Sequence, residues 1–297
     1  MSQSDPYRSS RRAHAAKAQF YRWFQRYERH NEQPSPVDPV ERQLQIFADR
    51  FEIVTADGRA ITTRDAYRDV TAARRPGERH THHVNRVTVT ELGTDRLKLA
   101  AEATHQRVDT SGSTTSAQVR YEGELIGSVD FEPLFTRLTM TEGERTRDAE
   151  FTDAYPANRS LSVVHRFLCL VDASELGAYG FDEILAPDGE LDLVLAFREV
   201  RDRRELAQWL RESSQRVAAG TSRHGVENFR VSSARDDLYT IGMDFDWHGT
   251  ARAGDLMAAR LRYEWTLRDT GERYCRIVRA RSTPLPATPA PELQDQP

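Results

Sequence analysis

Two pairs of histidines stand where hairpins would set them face to face. His82 and His105 flank the polar turn Leu92-Gly93-Thr94-Asp95, and a two-residue type II′ loop led by Gly93 opposes them directly. His224 and His248 flank a second polar turn centred on Asp236, and pairing about that residue opposes them as well. Directly opposed antiparallel residues share one sheet face, with Cα atoms ~4.5–5.5 Å apart, so each pair is within reach of one bound group. An acid accompanies each pair: Glu28 and Asp172 stand just past the apolar stripe of a preceding helix, at an end that could overhang the sheet. A carboxylate beside an imidazole orients the ring and stabilises its protonated form, leaving a histidine able to give or take a proton near neutral pH. With no nucleophilic Ser or Cys in the pattern, proton shuttling fits better than acyl transfer.

These residues recur because the chain repeats itself. A shift of 142 positions aligns His82-His83-Val84 with His224-Gly225-Val226, and also Val119-Arg120-Tyr121-Glu122 with Leu261-Arg262-Tyr263-Glu264. A slightly different shift aligns Tyr21-Arg22-Trp23-Phe24 with His165-Arg166-Phe167-Leu168, which sets Glu28 against Asp172. Two matches at one offset indicate a tandem duplication.

Each copy has one grammar. An amphipathic helix comes first, with Phe20, Trp23, Phe24 and Tyr27 in one copy and Val164, Phe167, Leu168 and Val171 in the other at helical spacing. A second helix is expected over 40–49 and over about 174–185. A third runs over 63–74 and over 203–217, with Thr63 and Asp202 as N-caps. Alternating strands follow at 82–90, 96–108, 117–126 and 134–140, then at 224–232, 238–247, 258–268 and 273–281. Helices followed by a curved antiparallel sheet make an α+β cone, here twice in tandem. The expected organisation is a disordered tail over 1–12, domains over 13–141 and 160–281 joined by a polar linker over 142–159, and a disordered proline-rich tail over 282–297.

One pattern divides the copies. His105 lies with Leu97, Leu99, Ala101 and Ala103, an interior face. His248 instead shares a face with Asp244 and Asp246, opposite Tyr239, Ile241, Met243, Phe245 and Trp247. If the apolar face is the core, His248 meets water; if the polar face lines a pocket, His248 meets the ligand.

At 297 residues, with 42 Lys and Arg against 46 Asp and Glu, the chain has the composition of a soluble protein of two domains. It carries no basic block, which argues against nucleic-acid binding. The polar N-terminus lacks a signal-peptide core and no apolar run reaches membrane-spanning length, so no membrane partner and a cytoplasmic location are expected. Cys169 and Cys275 are expected as buried free thiols, a disulfide between them being the other option. No cofactor is expected: glycine-rich phosphate loops are missing. No metal is expected either, because only His80 and His82 of His80-Thr81-His82-His83 share a face and no third ligand is evident.

The segments Leu170-Val171-Asp172, Leu185-Ala186-Pro187, Arg223-His224, His248 and Arg262-Tyr263 resemble scytalone dehydratase, of the SnoaL-like, NTF2-like superfamily. The resemblance spans about 162–280 and, more weakly, 19–141. It implies cofactor-free syn elimination of water from a polyketide-derived hydroxyketone. It places Asp172, His224 and His248 in the catalytic set, with Glu28, His82 and His105 as the equivalents in the first copy. It also makes Tyr27, Tyr121, Asn228 and Tyr263 candidates for substrate contact, since tyrosines in the family position a water on the carbonyl. The chain departs from the family at Val171, where a tyrosine is usual, and at Ala258 and Arg260, where a serine and an asparagine line the pocket.

The leading expectation is thus a dehydratase, cyclase or isomerase acting on a polyketide-like or aromatic small molecule. The rival is a non-catalytic module binding a hydrophobic ligand, and a third option is one active copy beside a scaffold. A domain–domain pseudo-dimer is expected, and a homo-oligomer is left open.

Overall fold

The computed structural model describes residues 9–29, 39–72, 77–127, 132–147, 150–173, 179–196, 198–235 and 237–286, and only the backbone of 25–29 and 39. Among these, the chain forms two compact units. The first gathers 11–170 and 269–275; the second gathers 9–10, 171–268 and 276–286.

The first unit opens with α1 (Arg11–Arg29) and the short α2 (Pro39–Leu44). The helix expected to run to residue 49 stops early. From Phe47 the chain becomes a strand, β1 (Phe47–Val54), which buries Phe47, Phe51 and Ile53. After β2 (Ala60–Ile61) comes α3 (Arg64–Ala72), where the Thr63 hydroxyl caps the first turn by accepting from Ala66 N–H at 3.1 Å. Strands β3 (Arg79–Glu91), β4 (Arg96–Val108), β5 (Thr114–Ile126) and β6 (Leu134–Glu142) follow. The sheet order is β2-β1-β6-β5-β4-β3, with β1 parallel to β6 and the other pairs on this path antiparallel.

The core of this unit is the sheet's inner face closed by the aromatic stripe of α1. Leu97, Leu99, Ala101 and Ala103 of β4 alternate inward as expected. Phe20, Trp23 and Phe24 each set a ring 5.6 Å from that of Tyr121. Gly123 lies where a Cβ would come within 2.7 Å of the buried Phe135 ring. Gly123→Val is therefore expected to destabilise this unit by about 1–3 kcal/mol through overpacking, read as a lowered urea midpoint.

Residues expected to link two domains are ordered onto this unit. The two-residue strand β7 (Thr146–Arg147) pairs with β5, and Ala154 N–H donates to Thr81 Oγ1 at 2.7 Å. The helix α4 (Tyr155–Val171) then starts and is buried along almost its whole length. Cys169 and Cys275 are buried free thiols.

The second unit repeats the plan. Part of its expected second helix lies outside the described residues, and the rest holds one 3₁₀ turn at Phe181–Glu183 entered from Gly180 at φ 84°. Next come β8 (Asp192–Leu195), β9 (Arg198–Val200) and α5 (Arg203–Arg216), capped by Asp202, whose carboxylate accepts from Glu205 N–H at 2.7 Å. The long strands are β10 (Arg223–Arg235), β11 (Leu238–Thr250), β12 (Leu256–Arg268) and β13 (Arg276–Pro284). Their order, β10-β11-β12-β13-β8-β9, is the order of the first sheet read from its other end, with β8 parallel to β13 as β1 is to β6. Both units are thus α+β, each combining helices with a largely antiparallel sheet.

Register separates the two units. In the first, the hairpin tip is a three-residue loop, Gly93 to Asp95, closed by Leu92 N–H on Arg96 C=O at 2.9 Å, not the expected two-residue turn. A bulge between Val84 and Arg86 then restores the count, and His82 does oppose His105. In the second, Arg235 opposes Leu238 at the tip, and two bulges intervene before His224. There His224 opposes Trp247, and His248 opposes Arg223.

Candidate active site

The one-residue difference in register turns His248 to the other face of the sheet. Its side chain is 47% exposed and lies 3.7 Å from Asp246. The apolar face of β11 is the interior: Ile241, Met243 and Phe245 are buried, together with Tyr263 and Trp265 of β12. His248 is therefore on the solvent side, and Trp247 holds the position that His105 holds in the first unit.

His224 is on the interior face and 7% exposed. Asp172, the residue after α4, is equally buried, and its Oδ1 lies 2.9 Å from His224 Nδ1. The expected acid–imidazole pair is present. Because a carboxylate only accepts, this approach favours the tautomer with the proton on Nδ1 and the lone pair on Nε2. Two residues absent from the sequence expectation complete the arrangement. Ser222 Oγ donates to the same Asp172 Oδ1, and Trp247 Nε1–H donates to Ser222 Oγ at 2.8 Å. Ser222 shows that a hydroxyl does adjoin the pair, but its contact is with the acid, not with the imidazole that would activate a nucleophile. The Ser222-x-His224 spacing was a readable signal for it, since residues two apart on a strand share a face.

A phenylalanine ring borders the imidazole. Phe245 meets His224 edge-on at 6.2 Å between centroids, and Tyr263 packs 4.8 Å from Phe245. Burial pushes the Tyr263 hydroxyl up to about 12, so it stays a neutral phenol; it accepts from Ala196 N–H at 3.4 Å. Asn228 is elsewhere. It sits at the bulge with φ 52°, and its amide donates to Asp244 Oδ2 at 2.8 Å, on the face away from His224. Asp244, buried but bound by Arg262 at 2.9 Å, is held below the ordinary carboxylate range by that arginine and by Asn228, against the opposing effect of burial.

The first unit assembles its residues differently. His82 is buried between two rings: Phe24 at 4.6 Å on one side and His105 at 4.6 Å, nearly parallel, on the other. His105 Nε2 in turn meets His80 Nδ1 at 3.1 Å, and His80 Nε2 lies 3.5 Å from Glu78. The result is a stack of imidazoles packed against phenylalanine. The side chains of Tyr27 and Glu28 lie outside the described residues, on the last turn of α1. Tyr121 is a core aromatic, 2% exposed. Among the described residues no group of three or more His, Cys, Asp or Glu is placed to hold a metal ion, and no helix is long and apolar enough to cross a membrane.

No protein-family model matches the sequence, and no curated protein does. Several solved structures resemble part of the chain. A hexachlorocyclohexane dehydrochlorinase, LinA-type3, from Novosphingobium barchaimii is 11% identical with a TM-score of 0.39, covering 46% of this chain and 90% of that one. A scytalone dehydratase-like protein from Novosphingobium aromaticivorans is 14% identical with a TM-score of 0.37, covering 47% and 89%. An NTF2-like superfamily protein from Salmonella enterica is 11% identical with a TM-score of 0.37, covering 44% and 91%.

Proposed function

We propose that the second unit is a cofactor-independent dehydratase, cyclase or isomerase for a polyketide-like or aromatic cyclic small molecule, working by acid–base catalysis at His224. The observation that carries this reading is the buried Asp172–His224 pair, 2.9 Å apart and bordered by Phe245. In this reading His224 Nε2 takes the proton from the carbon beside a carbonyl, and the C–H electrons move into an enolate. Asp172 stabilises the imidazolium so formed. For a β-hydroxyketone the imidazolium then protonates the departing hydroxyl, the enolate electrons close the new C=C bond, and water leaves. Nε2 ends as it began. Without a β-hydroxyl, return of the proton to another carbon of the enolate is an isomerisation. The first unit is proposed as a scaffold, because Phe24 packs against His82 and Phe20, Trp23 and Phe24 fill the face beneath Tyr121.

The test is proton exchange and elimination on a panel of cyclic ketones and β-hydroxyketones in D2O, followed by NMR on the full chain. Wild type should exchange the proton next to the carbonyl. His224→Gln should lose that activity by about 10²–10⁴-fold, whereas His248→Ala should keep it, since His248 faces solvent. Equal loss in both variants would contradict the register argument. Ligand binding with neither exchange nor elimination in wild type would instead make the unit a binding module.

A further inference from the structure

We infer that Ser222 and Trp247 are positioning residues that hold Asp172 as a carboxylate aimed at His224 Nδ1, a conclusion resting on the reading of Asp172 and His224 as the reacting pair. The direction of the hydrogen bonds follows from what each group can do. An indole N–H only donates, so at 2.8 Å from Trp247 Nε1 the Ser222 oxygen must be the acceptor. The single serine proton is then available for Asp172 Oδ1, which can only accept. His224 Nδ1 meets that same Oδ1 at 2.9 Å. That carboxylate oxygen therefore receives the serine donor and lies against the imidazole, and the chain of hydrogen bonds runs one way, from indole to hydroxyl to carboxylate.

Two consequences follow for the imidazole. The carboxylate cannot rotate about its Cβ–Cγ bond without losing the serine bond and the 2.9 Å approach to Nδ1. A carboxylate held in this way presents only an acceptor to Nδ1 and so favours the tautomer with its proton on that nitrogen. The local backbone is built to keep the donors in place. Gly249 lies two residues beyond Trp247 on the same face, and a Cβ there would come within 2.7 Å of the indole, so the ring rests over a position that only glycine leaves open. The segment entering Ser222 is tied to the same strand: Thr250 N–H donates to Thr221 Oγ1 at 3.0 Å, and Ala218 N–H to Thr250 C=O at 2.7 Å.

Trp247→Phe keeps an aromatic side chain and removes the N–H together with part of the ring; Ser222→Ala removes the hydroxyl; Ser222→Thr restores one. The expected result for kcat is a drop of about 10- to 100-fold in Ser222→Ala, the effect of losing one hydrogen bond to a charged group. A smaller drop is expected in Trp247→Phe, near-recovery in Ser222→Thr, and no further loss in the Ser222→Ala, Trp247→Phe double variant. The independent readout is the ¹⁵N and ¹H NMR signature of the His224 ring in the full chain. Wild type should show the Nδ1–H tautomer, and Ser222→Ala a mixture of tautomers. A pure Nδ1–H tautomer in a folded Ser222→Ala protein would overturn the positioning role whatever happens to kcat. Tautomer mixing in a protein whose wild type turns over no ketone would uphold positioning and overturn the acid–base reading.

Discussion

Replacing Asp172 with Asn is expected to cut turnover on a cyclic hydroxyketone by about 10²–10⁴-fold while changing ligand affinity much less. Asparagine keeps the size of aspartate but removes the charge that stabilises an imidazolium. Its NH₂ group, turned toward His224, would also donate to Nδ1 and force the ring proton onto Nε2, the nitrogen needed as base. The loss should fall on kcat, because a neutral ring leaves substrate binding nearly unaltered. Combining Asp172→Asn with His224→Gln should cost far less than the product of the two effects, since the residues act as one unit. Steady-state kinetics on the four proteins measures this; full activity in the double variant would remove the second unit as the catalytic site. Attention would then move to His82, His105 and Glu28.

The second large effect concerns stability of the first unit. Arg159 is 2% exposed and pairs with Asp269 at 2.9 Å, the guanidinium also donating to the Arg273 carbonyl at 2.9 Å. Asp269 further accepts from Tyr155 Oη–H at 2.9 Å and Gly271 N–H at 3.0 Å. Burial on its own would raise the Asp269 carboxyl, but the Arg159 charge and these donors outweigh it and hold the group below the ordinary carboxylate range. Arg159→Met leaves that carboxylate buried and is expected to cost about 3–5 kcal/mol, seen as a lowered urea midpoint at pH 7. Adding Asp269→Leu should recover most of the loss, because an apolar pair of similar volume avoids burying either charge. The pH dependence has a definite sign. A carboxyl with a depressed folded value contributes stability above its unfolded value of ~3.9, and that contribution is lost as pH falls through the lower folded value. The wild-type advantage over the double variant should therefore shrink on acidification below about pH 4.

Much of this molecule was legible without coordinates. The offset of 142 residues linking His82 to His224 is reproduced by two sheets of one strand order. Thr63 and Asp202 cap the helices assigned to them. Asp172 lies beside His224, at the end of the helix that the repeat pattern indicated. These features are local or periodic: a cap is read from residues three apart, a strand from alternation, a helix stripe from three- and four-residue spacing. The parallel strands β1 and β8 escaped because β8 is short, β1 opens without alternating burial, and their partners β6 and β13 are distant in sequence.

What only the tertiary structure decided was which side chain faces the imidazole. A hairpin's register depends on the number of residues in its loop and on each bulge along it, and a bulge has no period to betray it. In the first unit a longer loop and one bulge cancel, so His82 meets His105 as the simple count had it. In the second, two bulges carry His224 past His248 to Trp247. Because side chains alternate across a strand, that single step sends a histidine to solvent and brings an indole N–H, through Ser222, to the acid.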